Sequence, residues 1–215
     1  MSRPFRAIID GPDGTGKDTI LKLVQERLIE SIPSFEVVRT TEPIEGDEDS
    51  ITARRLLVSP TTDSSNRFLS AFYLYQENMR AANNKVPLQL LYRGFAGFVV
   101  YNEINWMTND GQFKLIPKVD AAILITAPFE TLTSRLERRT EQNEDYQDKD
   151  LQYRANVHSR YEKVFKDLSE KQKIPSLVVY NEDGFLEDSV KGCVDFILQS
   201  FDAFHLNKYL KMTKY

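Results

Sequence analysis

Three glycines and a lysine set close together are the residues of this chain best suited to chemistry. They lie in the stretch Asp10-Gly11-Pro12-Asp13-Gly14-Thr15-Gly16-Lys17-Asp18-Thr19. Glycine reaches backbone angles closed to other residues, so a chain spaced this way wraps closely round an anion and turns several N–H groups toward it. Lys17 adds a mobile cation for the outer phosphates of a nucleotide. Gly11, four residues, then Gly16-Lys17 therefore points to phosphate binding, with Gly11, Gly14, Thr15, Gly16, Lys17, Asp18 and Thr19 as candidate ligands. One position is unusual. Ser or Thr ordinarily follows the lysine and its hydroxyl ligates magnesium, whereas Asp18 stands here. A carboxylate repels a triphosphate unless magnesium or its water lies between them. Asp18 is thus either a magnesium partner through water or a solvent-facing first-turn residue favoured by the helix dipole.

Such a loop works between a strand and a helix. Ala7, Ile8 and Ile9 form an apolar run before it, and Ile20, Leu21, Val24 and Leu28 share one helical face after it, so the positive end of that helix faces the anion. Short apolar runs alternate with helical patterns along the rest of the chain, the signature of a parallel sheet wrapped by helices. Strands are expected over 6–10, 36–40, 88–92, 121–126 and 177–181. In such sheets ligands gather at the carboxyl ends of the strands, so the residues just after each run are the candidates for chemistry.

After the second run comes Thr41-Glu42-Pro43-Ile44, where proline holds the backbone extended and Glu42 projects toward the cleft. Glu42 could orient a sugar hydroxyl, assist magnesium, act as a base, or simply cap the next helix. A helix expected over 66–80 is crowded with Phe68, Phe72, Tyr73 and Tyr75; most should be core, and one or two could stack on a base. Arg93 closes the third run. A guanidinium there calls for an anionic partner, and an acceptor phosphate is favoured over a structural ion pair. Arg135, Arg138 and Arg139 precede a polar stretch, 141–150, without an aliphatic side chain, which suits a lid at about 138–150 closing over phosphates. The competing explanation is an exposed, charged helix end. His158, beside an apolar helical stripe with no nucleophile or metal motif nearby, reads as structural, and a basic, aromatic tail is expected over 201–215.

With 215 residues, 41% hydrophobic and 28% charged, the chain fits a single α/β domain over 1–215. Its net charge of −4 gives no general attraction to nucleic acid or membrane, so polynucleotide partners are not expected. No apolar run approaches the ~20 residues of a membrane helix. The lone Cys193 falls in an apolar helical stripe, as expected of a core residue in a reducing cytoplasm.

Taken together, IDGPDGTGKDT, the TEP turn, YRGFAGFVVY and the run EDYQDKDLQYRANVHSRY resemble, over almost the whole chain, the thymidylate kinase family of P-loop nucleoside monophosphate kinases. The resemblance implies a P-loop three-layer sandwich with a five-stranded parallel sheet, a lid, a homodimer, and magnesium-dependent transfer of the ATP γ-phosphate to a deoxynucleoside monophosphate. By position it implies that Lys17 binds phosphate, Asp13 lies between donor and acceptor, Arg93 holds the acceptor phosphate, Tyr101 lies near the deoxyribose, and Arg138 or Arg139 neutralises the transferring group. The family's acidic residue before the arginine is Tyr92 here. Its base-reading arginine falls on Tyr73, its stacking aromatic on Leu69 or, with a small shift, Phe68 or Phe72, and its serine-like positions on Gly97 and Phe98. Phosphate machinery thus matches better than base recognition, and the acceptor is expected to be dTMP or a related pyrimidine deoxynucleotide. Two alternatives stand beside this: a deoxynucleoside kinase with Glu42 as base, and a nucleotide-binding protein that no longer catalyses.

Overall fold

The computed structural model describes residues 3–59, 61–101, 119–140 and 151–212; the side chains of Ser64, Phe95, Phe98, Arg139, Thr140 and residues 207–212 lie outside that description. Five strands form one sheet: β1 (Phe5–Asp10), β2 (Phe35–Arg39), β3 (Leu88–Tyr92), β4 (Ala121–Thr126) and β5 (Ser176–Tyr180). Their order is β2-β3-β1-β4-β5, and every neighbouring pair runs parallel. The described helices are α1 (Lys17–Ser31), α2 (Glu48–Val58), α3 (Ser64–Ala81), α4 (Phe95–Tyr101), α5 (Phe129–Thr140), α6 (Leu151–Glu170) and α7 (Leu186–Met212).

Successive side chains of a strand point to opposite faces, and the sheet uses both. Ile8, Leu91, Ala122 and Leu124 face one core layer, where they meet Val157, Tyr161, Val164 and Phe165 of α6 and Val99 and Val100 of α4. Ala7, Ile9, Leu90, Ile123 and Ile125 face the other, against Ile20, Leu21, Val24 and Leu28 of α1 and Val190, Cys193 and Ile197 of α7. All residues of β3 and β4 are buried, so their sequences read as unbroken apolar runs rather than alternating ones. This is the expected three-layer P-loop sandwich.

Strand limits differ from the sequence expectation by a residue where pairing decides the ends. β1 begins at Phe5 because Phe5 pairs with Leu88, and β2 likewise begins at Phe35. The helix expected over 66–80 starts at Ser64, because the Asp63 side chain accepts from the Asn66 N–H at 2.9 Å and caps it. Residues 201–212 of the expected aromatic tail continue α7 and dock on the body: Phe201 and Phe204 stand edge-on to Phe5, with ring centroids 5.7 and 5.5 Å away.

Candidate active site

The loop between β1 and α1 is built by close approach. A Cβ on Gly11 would lie 2.0 Å from the Ile125 carbonyl oxygen of β4, so no side chain fits there. Gly16 has φ +76° and serves as the N-cap of α1 without a side-chain hydrogen bond, which leaves the first-turn N–H groups uncapped by any side chain. Uncapped N–H groups at a helix start, aligned with its dipole, are an anion site. Thr15 is fully buried; its hydroxyl donates to Pro12 O at 2.9 Å. Lys17 is 5% exposed, and its Nζ donates to Pro12 O and to Asp13 Oδ1, each at 3.1 Å. Tyr101 in turn donates its hydroxyl to Asp13 Oδ2 at 3.2 Å. Lys17, Asp13 and Tyr101 therefore form one connected group at the carboxyl end of β1.

Asp10 anchors this group from beneath and was not recognised from the sequence as anything but the last residue of a strand. It has no exposed surface. Its oxygens accept from the Gly11 N–H (2.8 Å), the Gly97 N–H (2.8 Å) and the Tyr161 hydroxyl (3.1 Å). Burial raises its pKa to about 6, against the opposing pull of Lys17 and of those donors. Gly97 is thereby packed against Asp10: a Cβ at that position would stand 3.1 Å from both Asp10 Oδ2 and the Tyr161 hydroxyl.

Arg93 follows β3 with φ +54°, the left-handed region that costs a non-glycine residue about 1–2 kcal/mol. Its guanidinium lies over the Tyr92 ring, 5.6 Å from the centroid, and its Nε is buried without a hydrogen-bond partner. Burial opposes its charge, yet the neighbouring Tyr92 oxygen, Asp13 and Asp18 together raise its pKa above the usual value. Tyr92 is 1% exposed and donates its hydroxyl to Asp18 Oδ1 at 2.6 Å. Asp18 is therefore not a purely solvent-facing residue; its Oδ2 has no hydrogen-bond partner among the described residues.

The other predicted residues spread around this centre. Glu42 follows β2, half-buried, its carboxylate making no hydrogen bond or ion pair among the described residues while its carbonyl accepts from Asn78 at 2.8 Å. Phe68 and Phe72 lie one turn apart on α3 with rings parallel within 1° and centroids 6.3 Å apart. Tyr73 instead feels α2: partial burial raises its pKa, helped by the carboxylates of Asp47 and Asp49. Arg138 donates to Ser134 Oγ at 3.2 Å; the side chain of Arg139 and residues 141–150 of the expected lid lie outside the described residues. His158 shares a 3.0 Å hydrogen bond with Thr126 Oγ1 at the end of β4.

A second region was missed by sequence reasoning. A cleft of about 430 Å³ opens beside the loop, lined among others by Gly14, Gly16, Thr19, Arg138, Asp183 and Gly184. Asn181 ties its floor to the loop by donating to Thr15 O at 2.7 Å. Arg135 clamps its side, donating to Gly14 O (3.3 Å), Asn181 O (2.9 Å) and Asp183 Oδ1 (2.6 Å). The signal was present, since Asn181 immediately follows β5, but the predicted strand ran through it. Among the described residues, no group of three or more His, Cys, Asp or Glu could hold a metal ion. A magnesium ion here would come with the nucleotide phosphates, with Asp18 as the adjacent oxygen donor.

The thymidylate kinase signature matches residues 9–177. No curated protein matches the sequence. Among solved structures, the chain is similar to thymidylate kinase from Ehrlichia chaffeensis, at 16% identity and a TM-score of 0.62. It is also similar to deoxyadenosine kinase from M. mycoides, solved with the products dCMP and a flexible dCDP, at 14% identity and a TM-score of 0.61. Each match covers 91% of this chain and 100% of the other, and at such identities it shows a shared fold alone. The signature reaches further than the fold, spanning the loop, Arg93 and α6: the chain belongs to the thymidylate kinase family of P-loop nucleoside monophosphate kinases.

Proposed function

We propose that the protein transfers the γ-phosphoryl group of ATP to the phosphate of a deoxynucleoside monophosphate, dTMP or a related pyrimidine deoxynucleotide. The observation that carries this is Arg93: a largely buried guanidinium beside the loop, held in a strained backbone, with no ion pair among the described residues and an unpartnered Nε. Asp13 and Asp18 act on it only from beyond ion-pair distance, and an acceptor phosphate would meet it directly. The phosphate of a monophosphate is already a nucleophile at neutral pH, so the reaction needs alignment and charge neutralisation rather than a base.

The chain's groups divide that work. The start of α1 and Lys17 hold the donor phosphates, and the cleft between α5 and the segment after β5 takes the donor nucleoside. Arg138 and Arg139 neutralise the transferring group from the lid at 138–150 as it excludes water. Asp13 and Tyr101 sit between donor and acceptor, and Phe68 and Phe72 offer the acceptor base a stacking surface. Magnesium bound with the nucleotide, with Asp18 beside it, would supply positive charge to the donor phosphates. A single domain acting as a homodimer in the cytoplasm, with small-molecule nucleotides as its partners and no nucleic acid or membrane, completes the proposal.

One observation favours a second possibility. The Glu42 carboxylate, three residues after β2 and without a hydrogen bond or ion pair among the described residues, could act as the base that a hydroxyl acceptor requires, which a deoxynucleoside kinase would use. The test is ATP consumption with magnesium against a panel of nucleoside monophosphates and nucleosides, with Lys17→Ala and Glu42→Gln alongside. Turnover on a pyrimidine deoxynucleoside monophosphate, abolished in Lys17→Ala and retained in Glu42→Gln, is the expected result. Turnover confined to nucleosides and abolished in Glu42→Gln would move the assignment to nucleoside phosphorylation. ATP binding without turnover on any acceptor would leave a binding protein.

A further inference from the structure

We infer that Asp18 and Tyr92 form the magnesium-holding hydroxyl–carboxylate pair of this loop with their usual places exchanged, Asp18 supplying the carboxylate from α1 and Tyr92 the hydroxyl that orients it from β3. This rests on the loop being a nucleotide site. In P-loop enzymes at large, the hydroxyl follows the loop lysine and the carboxylate comes from a nearby strand. This chain departs at the position after Lys17, and it departs again at the residue before Arg93. The two departures touch each other: Tyr92 donates to Asp18 Oδ1 at 2.6 Å across 74 residues of sequence.

The contact is built rather than incidental. Tyr92 pairs with Ile9 in the β1–β3 ladder, which sets the end of β3 beside the strand that feeds the loop. Its ring is buried, and the guanidiniums of Arg39 and Arg93 lie over it at 5.1 and 5.6 Å. A phenol fixed in this way can hold one carboxylate oxygen still, while the exposed Asp18 keeps Oδ2 without a hydrogen-bond partner among the described residues. Two hydroxyls at these places would bring no charge to a cation, and two carboxylates would repel each other and the nucleotide. One of each is retained here, in reversed positions. Asp18 is the metal-holding residue, directly or through water, and Tyr92 is a positioning residue that acts through it.

The test measures ADP affinity by calorimetry with Mn²⁺ and with EDTA, and takes the ratio of the two for each protein. Asp18→Asn and Tyr92→Phe keep shape and remove one half of the pair each. Each is expected to weaken ADP binding in Mn²⁺ by about tenfold or more, and so to lower the ratio, the usual consequence of losing a group that holds or orients a metal ligand; in EDTA Tyr92→Phe should bind ADP as the parent does and Asp18→Asn at least as tightly, because no carboxylate then repels the phosphates. The reversed double variant, Asp18→Ser with Tyr92→Asp, is expected to recover to within about threefold of the parent ratio if it folds. Parent-like ADP affinities in Mn²⁺ for both single variants would overturn the exchange, and so would a folded double variant no better in Mn²⁺ than Asp18→Asn. Absence of any ADP binding by the parent protein would instead sink the nucleotide site itself.

Discussion

Asp10 makes a quantitative demand on the protein's stability. Burial raises its pKa from 3.8 to about 6, so it binds its proton more tightly in the folded chain than in the unfolded one. Ionisation therefore favours unfolding. Below pH 3.8 both states carry the proton and the cost vanishes; it grows between 3.8 and about 6 and is complete above that window. The full cost is about 3 kcal/mol, and the part that appears between about pH 5 and about pH 8 is about 1 kcal/mol. Urea unfolding of the parent and of Asp10→Asn at those two pH values isolates it. Asparagine does not titrate. Its amide faces a set of three donors, Gly11 N–H, Gly97 N–H and Tyr161 hydroxyl, that suits a carboxylate better, but that offset is the same at both pH values and cancels. The parent should lose about 1 kcal/mol relative to the variant on going to the higher pH. An unchanged difference, or a parent that gains on the variant, would refute the reasoning: Lys17 and the three donors would then outweigh burial.

Two further substitutions probe the site. Arg93→Gly removes the left-handed strain, about 1–2 kcal/mol, and forfeits the stacking on Tyr92 and some chain entropy, each about 1 kcal/mol, so denaturation should place its stability within about 1 kcal/mol of the parent. Its kcat/KM for the acceptor should nonetheless fall at least about 100-fold, as expected when a buried charge loses its phosphate; a stable variant with unchanged acceptor kinetics would remove Arg93 from the site. Gly11→Ala forces a methyl group to 2.0 Å from the Ile125 carbonyl. It should cost about 1–3 kcal/mol in chemical denaturation and weaken ATP binding, and parent-like stability would mean that β4 does not press on the loop.

How far the sequence could be read depends on whether the information is local. β3 and β4 were legible to the residue because both are buried on both faces and are punctuated at their ends, β3 by Pro87 and Arg93, β4 by Asp120 and, one residue on, Pro128. The loop was legible because its glycines answer to backbone geometry within ten residues. Arg93 could be singled out by its place at a strand end. What stayed hidden was made by side chains arriving from far away. Asp10 looks like an ordinary strand residue until Gly97 and Tyr161 reach it, and the Arg135 clamp on Asn181 and Asp183 joins the middle of α5 to the loop before α7, which share no pattern. Tyr92 and Asp18 were each visible as departures, but only the fold shows that they meet. Gly97 matched a substrate position by alignment of motifs, while the structure packs it on Asp10. The side chain of Arg139 and the polar stretch 141–150 lie outside the described residues.

The convergence on Asp10 also has a meaning for how the chain comes to fold. Its two long-range hydrogen bonds close separations of 87 and 151 residues. Loop-closure entropy must be met before such contacts return anything, so they are expected to form late, with the docking of α6 on the assembled sheet. A nascent chain that has not yet delivered Tyr161 carries the glycine loop in sequence but lacks the floor that shapes it. Nucleotide affinity should therefore arise near the end of refolding, in step with burial of α6, and bound nucleotide should stabilise the whole chain by mass action rather than one half of it.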